Sequence, residues 1–97
     1  MREISPYVYL LASGTRGTLY AGVTSDLVKR IWQHQNDLVD GSSKRYRVHA
    51  LVWFERHHTM ESAISREKAV KAWKRAWKIE LIESANPDWR DLYPRIV

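Results

Sequence analysis

The chain has 97 residues, 44% of them hydrophobic, no cysteine, and 16 Lys+Arg against 11 Asp+Glu for a formal charge of +5. That length supports one hydrophobic core, so a single domain over residues 1–97 is expected and mechanisms acting between domains are excluded. The lack of cysteine removes disulfide frameworks, thiolate zinc sites and cysteine nucleophiles together, while the positive balance favours polyanionic partners.

The apolar run "YVYLLA" near the N-terminus is too short for a secretion signal's core or a membrane span, so a soluble, cytoplasmic protein with no membrane association is expected. Tyr7 to Ala12 reads as a strand, "SGTRG" as a turn, and Thr18 to Val23 as a second strand closing a hairpin. "TSD" then offers N-cap residues before a helix from Leu27 to about Leu38. The polar segment Asp40 to Arg47 is a loop, and "VHALVWFE", Val48 to Glu55, is a third strand. Thr59 caps a long helix from Met60 to about Ser84, a stretch free of Gly and Pro and rich in Ala, Lys, Glu, Arg and Leu. Asn86-Pro87 ends it, and a short helical turn through "DWRDLY" follows. The order β-β-α-β-α predicts a small α+β domain with a three-stranded, mainly antiparallel sheet flanked by helices.

Helical geometry places Leu27, Ile31, His34 and Leu38 on one arc of the first helix, with Arg30 at its edge. In the long helix Ala63, Val70, Trp77 and Leu81 define the inner arc, with Trp73 on one flank and Glu67 on the other. A carboxylate there needs a partner. His34 is either a hydrogen-bonded core histidine or a site residue, and Glu67 either pairs with Arg30 or serves chemistry. The cluster His57, His58 and Glu61 fits a strand-to-helix turn better than a metal site, because adjacent histidines project differently.

These residues carry a resemblance. "YVYLL" followed eleven residues later by "LYAGVT" resembles the two-part signature of the GIY-YIG nuclease superfamily, with Tyr9 and Tyr20 as the motif tyrosines. Arg30 stands ten residues beyond Tyr20, His34 one turn later, and Glu67 in the position of the family's metal-binding helix residue. "NPDWRDLY" is similar to the close of small stand-alone bacterial members. The first motif here reads Tyr7-Val8-Tyr9 and the second Tyr20-Ala21-Gly22.

The resemblance implies an endonuclease hydrolysing phosphodiester bonds, in DNA more than in RNA, at branched, damaged or single-stranded sites. It implies that Glu67 is the sole protein carboxylate on Mg²⁺ or Mn²⁺, hard ions that take oxygen ligands. Arg30 would hold phosphate oxygens bidentately. Tyr20 or His34 would take the water's proton, and Tyr9 would orient water or phosphate. Gly22 would permit close approach of substrate or helix backbone, with a β-bulge as its alternative. Asn86 matches a residue that shapes the family's site, with N-capping as its alternative. Lys44, Arg45, Tyr46 and Arg47, in the loop before the third strand, are candidate nucleic-acid contacts, whereas Lys68, Lys71, Arg75 and Lys78 on the long helix are read as a solvated face. A non-catalytic nucleic-acid-binding module of the same fold is the alternative function, and a protein partner supplying targeting is a further expectation.

Overall fold

Burial is nearly continuous along β1 (Tyr7–Ala12), whose odd and even side chains both meet packed layers. In the computed structural model, which describes residues 4–39 and 41–97, this strand is the centre of a sheet ordered β2-β1-β3, with β2 at Leu19–Thr24 and β3 at Ala50–Arg56. Both pairings are antiparallel. Asp40, the first residue of the predicted loop, lies outside the described residues.

Helices cover both faces, as a buried central strand requires. Tyr9 and Leu11 pack with Leu27 and Ile31 of α1 (Leu27–Gln35), while Val8, Leu10 and Ala12 pack with Ala63 and Val70 of α3 (Met60–Ala72) and Ile82 of α4 (Arg75–Ala85). Asp26 caps α1 by accepting from the Lys29 amide, and Thr59 caps α3 by accepting from the Ser62 amide. His57 meets the Glu55 carboxylate at 2.7 Å and the Ser62 hydroxyl at 2.9 Å, so that histidine does serve the strand-to-helix turn.

Four sequence expectations change. The long helix is two: the chain leaves helical geometry at Trp73 and Lys74, both with ψ near the extended value, without Gly or Pro. A straight helix over residues 60–84 would run about 38 Å at 1.5 Å per residue, beyond the 32 Å longest dimension of the fold. The break turns α4 back over β3, so that Ile82 is buried and Trp77, expected on the inner arc, stands 51% exposed. Likewise α1 stops at Gln35 because Asp37 is left-handed at φ 54°, which leaves Leu38 exposed rather than on the buried arc. "DWRDLY" is largely extended and turn-like, with helix α5 confined to Tyr93–Ile96, and a short helix α2, Ser42–Arg45, interrupts the predicted loop.

The bulge lies in β3, where Leu10 pairs Trp53 but Leu11 pairs Leu51. Its extra residue, Val52, turns to the same core as Trp53. Asn86 answers the bulge: its amide donates to the Val52 carbonyl at 3.1 Å and the Arg90 carbonyl at 2.9 Å, and accepts from the Arg90 amide at 3.1 Å. The expected N-cap is therefore absent; Asn86 ends α4 and ties the C-terminal segment to β3.

Candidate active site

Residues two apart on a strand share a face, and antiparallel pairing sets partners side by side. Tyr9 is opposite Gly22 and Leu11 is opposite Tyr20, which puts both tyrosines on the α1 side of the sheet. The reason for glycine is then visible. A Cβ on Gly22 would stand 2.3 Å from the Tyr9 hydroxyl oxygen, so the Tyr9 ring itself fills the space above the strand. Neither substrate approach nor the bulge accounts for this glycine.

From α1, His34 completes an aromatic cluster: its ring centroid is 5.6 Å from Tyr9 and 5.1 Å from Tyr20, and the two tyrosine rings are 6.4 Å apart. The Tyr9 hydroxyl meets His34 Nε2 at 2.9 Å. Burial, and then the Arg30 and His49 charges, hold the His34 pKa down at about 4, so the ring is neutral at pH 7 and Nε2 accepts from the phenol. Burial, with the anionic forms of Tyr20 and Glu67 nearby, pushes the Tyr9 phenol well above its ordinary value, against a partial offset from Arg30. Tyr9 and His34 are 2% and 1% exposed, whereas Tyr20 is only partly buried. Of the three, Tyr20 is the one that solvent can meet.

Arg30 lies where α1 borders the end of β2, and with Lys29, Thr24, Ser25 and Gln33 it lines an open polar cleft of about 380 Å³. Glu67 sits on the inner side of α3, which packs on β1 and β2. Its carboxylate is nearly covered and meets Lys71 Nζ at 3.0 Å, not Arg30. Lys71 was read from sequence as part of a solvated face, yet Glu67 and Lys71 are one helical turn apart, the spacing of a helix ion pair.

The remaining candidates go elsewhere. Lys44, Arg45, Tyr46 and Arg47 are exposed, with the Arg45 guanidinium 5.4 Å above the Tyr46 ring. Arg47 is left-handed, with φ 53°, and joins Gln35, His49, Asp91 and Ser13 around a second polar cleft of about 420 Å³. Asn86 is spent on backbone groups of Val52 and Arg90. Asp91 was missed from sequence; its carboxylate takes the Leu51 and Tyr93 amides, both at 3.1 Å, and docks the C-terminal segment on β3.

A metal fit rests on Glu67. The described residues hold no group of three His, Cys, Asp or Glu side chains placed to share an ion. One hard oxygen donor beside a cation's position suits an ion that keeps most of its waters, which is the habit of Mg²⁺ and not of zinc.

The chain matches the family model described as the GIY-YIG catalytic domain over residues 5–80. It is 34% identical over 76 residues to a UPF0213 protein of Staphylococcus saprophyticus, covering 78% of this chain and 92% of that one. To a UPF0213 protein of Syntrophus aciditrophicus it is 32% identical over 83 residues, 84% of this chain and 93% of the relative. No solved structure matches it. Tyr9, Tyr20, Gly22, Arg30, His34 and Glu67 all fall inside the matched range, and Asn86 and Asp91 fall beyond it.

Proposed function

The chain belongs to the GIY-YIG catalytic-domain family, a family of nucleases, and from that membership we propose that it is a divalent-metal-dependent endonuclease hydrolysing phosphodiester bonds in DNA. The observation that supports the reading is the meeting of Tyr9, Tyr20 and His34 in one cluster whose charges include Arg30 and Glu67.

Hydrolysis adds water oxygen to phosphorus, breaks the bond to the 3′ oxygen and returns a proton to that oxygen. Mg²⁺ or Mn²⁺ held by Glu67 would supply positive charge to the phosphate and the leaving oxygen. Arg30 donates paired hydrogen bonds to the non-bridging oxygens, and its cleft leaves room for the backbone on either side. Tyr20, being reachable by solvent, takes the water's proton as a phenolate, a form that the Arg30 charge and the bound ion would favour. Tyr9 and His34 act from behind: the buried phenol, anchored on the neutral imidazole, fixes the position of the Tyr20 ring.

The Glu67–Lys71 pair is the observation favouring a second reading, a nucleic-acid-binding module that cleaves nothing, because it neutralises the carboxylate internally. The test is cleavage of supercoiled, linear, flapped and single-stranded DNA with added Mg²⁺ or Mn²⁺. Cleavage that disappears in Glu67→Ala, Arg30→Ala and Tyr20→Phe supports the endonuclease. Tight binding without turnover, unchanged by Glu67→Ala, selects the second reading.

A further inference from the structure

The helix break leaves an unexplained feature on the far side of the sheet from the tyrosine cluster. Trp73 and Trp77 meet edge to face with centroids 6.2 Å apart, and with Leu81, Ser84 and Glu80 they line an open apolar groove of about 410 Å³. Trp77 is 51% exposed. Around it runs "REKAVKAWKRAWK", residues 66–78, which carries six cations and one acid. Lys74 Nζ is 5.6 Å over the Trp77 ring and the Arg66 guanidinium 5.1 Å over Trp73.

That charge placement does not serve the helix. Lys74 stands at the N-terminal end of α4, where the helix dipole disfavours a cation, whereas Arg75 beside it donates to the Arg16 and Gly17 carbonyls. Glu80 is the single acid of the groove and lies toward its other end, one turn beyond Trp77. The exposed Trp77 ring beside half-buried Trp73, interleaved with lysines, matches a strand with a base stacked on a ring and phosphates tracked by ammonium groups. The groove is joined to Glu67 along the chain: Lys71 pairs with Glu67, its carbonyl accepts from Lys78 Nζ at 3.1 Å, and Glu67 to Trp73 spans about 9 Å of helix.

We propose that the Trp73–Trp77 groove binds single-stranded DNA flanking the cleaved bond, with Trp77 stacking on a base and Lys74 and Lys78 contacting phosphates. The site therefore deepens the nuclease reading by making an unpaired strand the substrate.

The experiment is fluorescence anisotropy of a labelled oligothymidylate and of a blunt duplex, in EDTA, with the full chain and its Trp77→Ala and Lys74→Ala variants, all checked for unchanged melting temperature. Trp77→Ala should weaken the single strand by about tenfold while leaving the duplex within twofold, consistent with loss of one stacked base. Lys74→Ala should lower the salt slope for the single strand by about 0.7. Single-strand affinity unmoved by either change, or no single-strand binding at all, overturns the inference, as does binding of an oligouridylate without the DNA, or a Trp77-dependent self-association in place of nucleic-acid binding. Because no cleavage is measured, the two readings fail separately. Duplex cleavage with an inert groove sinks this inference alone, and Trp77-dependent binding without turnover sinks the catalytic reading alone.

Discussion

The Tyr9 ring occupies the space where a side chain on Gly22 would be, so one residue of each motif strand is shaped by the other. Gly22→Ala must displace the ring or the strand, and since the ring is buried and bonded to His34 it has little freedom to move. Overpacking of this kind costs about 1–3 kcal/mol. Chemical denaturation should show that loss, and in a double-mutant cycle Tyr9→Leu should make the added methyl much less costly. Additive effects would mean that the two residues do not compete for the same space.

His34 carries a pH signature. Its folded pKa of about 4 is below the unfolded value of 6.5, so above pH 6.5 neither state is penalised. As pH falls from 6.5 toward 4 the unfolded chain takes up a proton that the folded chain excludes, and stability drops over that window by at most about 3 kcal/mol. Melting temperatures followed across pH 7 to 4 should decline for the native chain and decline less for His34→Gln, which keeps an acceptor for Tyr9.

Much of this was legible beforehand. Two β-rich apolar runs separated by turn residues mark the hairpin, and capping side chains at Asp26 and Thr59 mark the two helix starts. The break at Trp73 was not, because it follows from the size of the sheet and from where Ile82 must go, neither of which local propensity encodes. Tyr9 and Tyr20 follow from the family resemblance and His34 also from its place on the helix arc, but the reason for Gly22 required the strand register. Asn86 looked like an N-cap because Asn-Pro has the right chemistry, whereas its partner is a bulge carbonyl 34 residues away.

That long-range role is itself testable. Asn86→Ala leaves the Val52 and Arg90 carbonyls without their donor in a buried setting, a loss of about 1–3 kcal/mol. Urea unfolding should register it. A variant that keeps full stability but loses DNA affinity would instead return Asn86 to the substrate site.

The proposed chemistry requires a divalent ion at Glu67. Titration of ¹⁵N-labelled protein with Mn²⁺ should broaden amide resonances around Glu67 and Lys71 on α3 and the adjoining centre of β1 and β2, saturably, and Glu67→Gln should abolish the effect. Broadening centred elsewhere, or the same pattern persisting in Glu67→Gln, would contradict it.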